Sequence, residues 1–166
     1  MIHRLSAAQR FAVYLPALLV VLVDQATKYL VLSSVPLYKS IPVIEGFFNI
    51  THVRNPGAAF GFLAQAGPAW RFFFLIAVTL AVMVAIIVFL ERNGDAGKTL
   101  FASLALILGG AAGNLTDRVI HGEVIDFLDI YIKSWHWPAF NIADSAISVG
   151  AFLLILDVFL KKDTPS

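Results

Sequence analysis

The stretch that decides the fold class is FFFLIAVTLAVMVAIIVFL, residues Phe72–Leu90, a run of 19 residues without a charge. A helix that crosses the hydrocarbon core of a bilayer needs about 20 predominantly apolar residues. A second uncharged run covers the 18 residues Thr99–Thr116. These two runs predict two transmembrane helices and place the chain among membrane proteins.

Two further apolar stretches are interrupted by ionisable residues. The first, Phe11–Leu32, contains Asp24 and Lys28, and the second, Ala139–Leu160, contains two aspartates. Both are long enough to cross a bilayer. We predict four spans, at about 11–32, 70–90, 98–118 and 140–160.

The composition agrees with a membrane protein and excludes several functions. Of 166 residues, 59% are hydrophobic and only 14% are charged, against about 25% charged in soluble domains. A net charge of +1 provides too little positive potential to attract the phosphate backbone of a nucleic acid, so no nucleic-acid partner is expected. Cysteine is absent, which excludes disulfides, thiolate catalysis and cysteine-ligated metals.

Basic residues are distributed unequally about the predicted spans. One side holds six of them: Arg4, Arg10, Arg92, Lys98, Lys161 and Lys162. The other side holds the three tryptophans, Trp70, Trp135 and Trp137. Aromatic rings of this kind favour the headgroup layer of a membrane. By the positive-inside rule both termini are expected in the cytoplasm, with loops 33–69 and 119–139 outside.

The first span resembles a cleaved signal peptide in one respect, because basic residues precede its apolar run. No small-residue cleavage site follows that run, and the polar pair Asp24 and Gln25 occupies the place where cleavage would be expected. We therefore expect a retained span.

The loop 33–69 is too long for a simple connector. Its segments 40–44 and 47–53 are rich in Ile, Val, Phe and Thr, which favours two short strands. We predict a small extracytoplasmic β-platform within 33–69 on an otherwise all-α membrane protein. No internal repeat or domain boundary is evident, so residues 1–166 are expected to form one integral membrane domain.

Ionisable residues within spans are costly and usually face a partner or a water-filled cavity. Asp24 and Lys28 are one helical turn apart, which is compatible with a neutralising pair or with a role at a site. Asn114, Asp117 and Arg118, at i, i+3 and i+4, make one face polar near the end of the third span, although Asp117 and Arg118 could simply end it.

The strongest chemical signal is the pair Asp126 and Asp144, just after the third span and near the start of the fourth. Negative charge at a helix N-terminus could explain Asp144 alone, but not Asp126. Two adjacent carboxylates can share one proton and activate water on an amide. The histidines are scattered, so no metal site and no cofactor are expected.

Two other functions use the same residues. A small ion-coupled transporter needs buried carboxylates, but polar residues would then follow the whole depth of the spans. In this chain they gather at one end. A structural assembly protein would not need the two aspartates beside Asn114 and Arg118. The pattern therefore favours a hydrolase with its site at one face of the membrane.

Five motifs in order resemble the lipoprotein signal peptidase family, also called signal peptidase II. They are Asp24-Gln25-x-x-Lys28, Asn55-x-Gly57-Ala58-Ala59-Phe60, Gly109-Gly110-x-x-Gly113-Asn114-x-x-Asp117-Arg118, Val124-x-Asp126-Phe127 and Phe140-Asn141-x-Ala143-Asp144-Ser145. The resemblance covers residues 24–145 and agrees in length and in the number of spans.

The resemblance implies an aspartic endopeptidase of the bacterial inner membrane. Its substrates would be diacylglyceryl-modified prolipoproteins, cut on the N-terminal side of the lipidated cysteine. By motif match, Asp126 and Asp144 would be catalytic. Residues expected to bind substrate or support the site are Asn55, Gly57, Asn114, Arg118, Asn141, Asp24 and Lys28. We expect a monomer surrounded by membrane lipids, with its active site towards the outer face.

Overall fold

The computed structural model describes residues 4–57 and 67–162. It contains four long helices: α1 (Ala7–Ser34), α2 (Pro68–Arg92), α3 (Lys98–His121) and α4 (Ile142–Lys162). All four are long and apolar enough to cross a membrane. The four predicted spans are therefore confirmed.

The start of α1 differs most from the prediction, since the helix begins at Ala7 rather than near residue 11. Ser6 caps it by accepting a hydrogen bond from the Gln9 backbone, while the Gln9 side chain accepts one from the Ser6 backbone. This capping box satisfies two amide groups that would otherwise lack partners. The helix therefore starts one turn before its apolar run.

Helix α3 lies at the centre of the bundle and packs against the other three helices. Small residues permit this close approach. A Cβ atom added at Gly109 would lie 2.6 Å from the carbonyl oxygen of Ala17 in α1, and one at Gly110 would collide with the carbonyl of Ala143 in α4. The outward faces of the helices carry exposed large apolar side chains such as Phe73 and Phe152, as lipid contact requires.

A small antiparallel sheet covers one end of the bundle, with strand order β1-β2-β3-β4. Its strands are β1 (Ser40–Ile44), β2 (Phe48–Asn55), β3 (Val124–Ile132) and β4 (Trp135–His136). The two strands predicted within 33–69 are present. The sheet is not confined to that loop, however, because β3 and β4 come from the segment between α3 and α4.

The pairing of β2 with β3 positions polar residues near the bundle. Asn55, the last residue of β2, pairs with Val124, and Val53 pairs with Asp126. The register shifts between Ile50 and Val53, a bulge of the kind that redirects side chains. We call this end of the molecule the sheet end, and the end that carries the α2–α3 connection at 93–97 the turn end.

Candidate active site

The sheet end brings together all nine residues that the sequence analysis singled out for a site. Ion pairs and hydrogen bonds join them into one continuous network. Its members are Asp24, Lys28, Asn55, Gly57, Asn114, Arg118, Asp126, Asn141 and Asp144. Residues far apart in the sequence therefore form one cluster.

A buried ammonium group lies at the base of this network. The Lys28 side chain is 1% exposed, and its Nζ is 2.8 Å from Oδ2 of Asp24 and 2.7 Å from Oδ2 of Asp117. Asp24 also accepts a hydrogen bond of 2.9 Å from the backbone amide of Ala143 in α4. Asp24 therefore neutralises Lys28 and also connects α1 to α4.

Lys28 also fixes the orientation of the Asn114 amide. Its Nζ donates to Oδ1 of Asn114 at 3.1 Å, and an ammonium group has no acceptor. The oxygen of Asn114 must therefore face Lys28, and its Nδ2 donates to Oδ1 of Asp144 at 2.7 Å.

Asn141 connects the two candidate carboxylates. It precedes α4, and its Oδ1 accepts a hydrogen bond of 2.8 Å from the backbone amide of Asp144. The Asp144 carboxylate in turn accepts one of 3.3 Å from the backbone amide of Asn141. This reciprocal pair is a capping box. It leaves Nδ2 of Asn141 free to donate to Oδ1 of Asp126 at 2.8 Å.

Asp126 receives a second amide donor from the end of β2. Nδ2 of Asn55 lies 2.9 Å from Oδ2 of Asp126. The oxygen of Asn55 accepts a hydrogen bond of 2.8 Å from the backbone amide of Gly57, whose φ of +89° suits glycine. The remaining residues of this motif, Ala58, Ala59 and Phe60, lie outside the described part of the chain.

The electrostatic environment of Asp126 favours its protonated form. Burial raises the pKa of Asp126 to about 7, and the nearby charge of Asp144 acts in the same direction. The hydrogen bonds from Asn55 and Asn141 oppose this rise, because they stabilise the carboxylate. One carboxyl group of the pair can therefore hold a proton near neutral pH.

A cavity of about 570 Å³ opens beside Asp144. Leu75 of α2 and Val149 of α4 contribute apolar walls, and Arg118 contributes a guanidinium group. Arg118 itself donates to the carbonyl of Asn114 at 3.2 Å. The cavity therefore has one charged and polar end. Its apolar walls lie beside that end and could contact a lipid chain or an apolar peptide.

Comparison with known proteins identifies the family. Residues 16–160 match the family model described as signal peptidase (SPase) II. The chain belongs to the signal peptidase II family.

Relatives and solved structures agree with this membership. The lipoprotein signal peptidase of Syntrophus aciditrophicus is 53% identical over 148 residues, which cover 89% of this chain and 92% of that protein. That of Geobacter metallireducens is 55% identical over 136 residues, covering 82% and 83%. Two structures described as a bacterial membrane enzyme align with TM-scores of 0.82 and 0.80 at 33% and 35% identity. The first alignment covers 100% of this chain and 96% of the other, and the second covers 99% of each.

One member of the network in this signal peptidase II chain was not assigned to the site by the sequence. Asp117 was interpreted as a possible end of the third span, yet it is 1% exposed. It contacts Lys28 and accepts hydrogen bonds from Gln25 at 2.8 Å and from the backbone amide of Ile125 at 3.0 Å. Its spacing of three residues from Asn114, on the same helix face, was the available signal.

Replacing Lys28 by methionine tests the base of the network. Lys28→Met leaves two carboxylates buried without their cation, and breaking a buried pair in this way costs about 3–5 kcal/mol. We expect a large fall in thermal stability in detergent. The double variant Lys28→Met/Asp117→Asn should recover part of that stability, because one uncompensated charge is removed, but not prolipoprotein processing, because Asn114 remains unanchored.

Asp117→Asn alone is the control, since it keeps the contact between Lys28 and Asn114. It should process prolipoprotein faster than either variant that lacks Lys28. This account of the network would be contradicted if Lys28→Met melted at the same temperature as the wild type and processed prolipoprotein at the same rate.

The raised pKa of Asp126 predicts a pH dependence of stability. The folded protein holds a proton that the unfolded chain releases near the usual aspartate pKa of about 3.9. This contribution is fully present below that pH and is lost as the pH rises to about 7. Thermal melting from pH 4 to pH 8 should show a larger loss in the wild type than in Asp126→Asn. Parallel curves for the two proteins would exclude a raised pKa.

Proposed function

We propose that this chain is an aspartic endopeptidase that removes signal peptides from diacylglyceryl-modified prolipoproteins, with Asp126 and Asp144 as its catalytic pair. Cleavage would occur on the N-terminal side of the lipidated cysteine. The observation that carries the proposal is the bridge through Asn141, which binds Asp126 by its side chain and Asp144 by its capping box. Membership of the signal peptidase II family supplies the class of substrate.

The proposed reaction needs one ionised and one protonated carboxyl group. The ionised group takes a proton from a water molecule as its oxygen attacks the peptide carbonyl carbon. The protonated group donates its proton to the carbonyl oxygen, giving a neutral tetrahedral intermediate. When this collapses, the C–N bond breaks, the first group gives the leaving amine the proton it took from water, and the second group takes a proton from a hydroxyl of the intermediate, so the pair again holds one proton. The pKa of about 7 for Asp126 supports a shared proton near neutral pH.

Neighbouring residues would hold this pair and the substrate. Asn114 and Asn141 would act as positioning residues, since each donates an amide hydrogen to a catalytic carboxylate. Asn55 donates to the other oxygen of Asp126. Asn55, Gly57 and Arg118 also line the cavity, where they could bind the substrate backbone, while Asp24 and Lys28 support the site from below.

The cavity suits a substrate that arrives through the bilayer. A signal peptide is apolar and a diacylglyceryl group is more so, so both partition into lipid. The walls formed by Leu75 of α2 and Val149 of α4 would allow the substrate to enter laterally between two spans. The scissile bond would then lie beside Asp144 at the sheet end.

We further propose that the chain acts as a single integral membrane domain and as a monomer, with membrane lipids around it. Both termini would be cytoplasmic and the sheet end would face outwards. The excess of Lys and Arg at the turn end supports this orientation. Neither a metal nor another cofactor enters the proposed reaction.

Substituting each aspartate tests the catalytic pair. Asp126→Asn and Asp144→Asn should each lower the rate of prolipoprotein cleavage in detergent by about 10³-fold or more, since each removes a proton-transfer group. The double variant should be little slower than either single variant, because the two groups act as a unit. Metal chelators should leave the wild-type rate unchanged.

Asp129→Asn is a matched control, because Asp129 is a buried carboxylate on the same strand. Its partners are Asn49 and His136 rather than members of the network. This variant should retain most of the activity. Substantial turnover by a well-folded Asp126→Asn or Asp144→Asn would remove that residue from the mechanism.

Reporter fusions test the orientation. A fusion after Lys98 should report a cytoplasmic location and one after Trp137 an external location. The reverse pattern would place the site on the cytoplasmic side and refute the proposed direction of substrate access, without bearing on the chemistry.

A further inference from the structure

A cluster of arginines lies at the turn end, far from the candidate active site. Arg4, Arg10, Glu91 and Arg92 line a pocket of about 340 Å³. These residues come from the beginning of the chain and from the end of α2, so the pocket spans two separate segments. With three guanidinium groups and one carboxylate, it carries a formal charge of +2.

The single carboxylate of the pocket is already engaged. Arg10 binds Glu91 through Nε, 3.1 Å from each carboxylate oxygen, and through a terminal nitrogen 2.7 Å from Oε2. The hydroxyl of Tyr14 donates to the other oxygen of Glu91 at 3.0 Å. Within the described residues, no ion pair engages Arg4 or Arg92, although the positive charge of Arg4 also acts on Glu91.

An apolar groove continues from the pocket along α1. It has a volume of about 420 Å³, and Arg10 belongs to both the pocket and the groove. Its other lining residues are Ala7, Phe11, Tyr14, Leu15 and Leu18. From Arg10 to Leu18 the groove covers about 12 Å of helix, on a face of a membrane-spanning element where lipid is the available neighbour.

We propose that the pocket and groove form a binding site for an anionic phospholipid of the surrounding bilayer. The phosphodiester would lie between Arg4 and Arg92, since guanidinium groups bind phosphate oxygens in bidentate geometry. One acyl chain would lie in the groove. The charge of +2 favours a lipid with a net negative headgroup over a zwitterionic one. The site is independent of the proposed peptidase chemistry.

Such a lipid would connect α1 to α2. In the described residues these helices meet at the turn end through contacts of Glu91 with Arg10 and Tyr14. A phosphate held by Arg4 and Arg92 would add a second connection. The bound lipid should therefore raise the thermal stability of the protein.

The test is lipid binding by the purified full chain in detergent. Dioleoyl phosphatidylglycerol should bind more tightly than dioleoyl phosphatidylcholine by native mass spectrometry and should raise the melting temperature. The variant Arg4→Gln/Arg92→Gln should weaken phosphatidylglycerol binding about 25-fold, at about fivefold per arginine. The control Lys39→Gln/Lys133→Gln removes the same charge from exposed positions at the sheet end and should change the Kd less than about twofold.

A second pair of variants tests the groove without changing charge. Leu18→Trp fills the groove, whereas Leu22→Trp alters the next turn at similar exposure, 55% against 52% for Leu18. Only the former should weaken lipid binding. The site would be refuted if Arg4→Gln/Arg92→Gln and Lys39→Gln/Lys133→Gln lost the same amount of phosphatidylglycerol binding. Equal binding of phosphatidylglycerol and phosphatidylcholine by the wild type would also refute it. Competition by glycerol phosphate at the concentration of the lipid would show that the groove is not used.

Discussion

The orientation of the candidate site depends on the Lys28 ammonium group, which can donate hydrogen bonds but never accept them. That asymmetry requires the oxygen of Asn114 to face the lysine, so its nitrogen faces Asp144. The same oxygen also accepts from Nδ2 of Asn141, which directs that nitrogen towards Asp126. The cation thereby fixes the Asn114 amide, and the Asn141 amide is also fixed by the backbone N–H of Asp144, which donates to its oxygen.

The Lys28 ammonium group is buried, and the fold surrounds it with carboxylates that compensate its charge. Two aspartates contact it, and each is also bound by a backbone amide. Gly113 makes room for one of them, since a Cβ there would lie 2.6 Å from Oδ2 of Asp24. Small residues in α3 therefore serve the network as well as the packing of the helices. A larger residue at Gly113 would displace the carboxylate and, through Lys28, the orientation of Asn114.

The spans could be predicted from sequence because hydropathy is a property of a local segment, and the five ordered motifs located all nine candidate residues. Strand β3 was not predicted, although Val124–Ile132 is rich in Val, Ile, Phe and Tyr, and its place in the sheet depends on pairing with a distant segment. The role of Asp117 was missed for a similar reason. Its partner Lys28 is on another helix, so the contact exists only once α1 and α3 pack together.

The capping box at the start of α4 has a consequence for assembly. Asp144 belongs both to the helix cap and to the candidate site, and Asn141 shares this double membership. The first turn of the last span and the carboxyl pair must therefore form together. A nascent chain whose fourth helix has not yet inserted holds Asp126 without its partner. On the proposed mechanism, such an unfinished molecule is inert towards other proteins in the membrane and gains activity only when synthesis and insertion are complete.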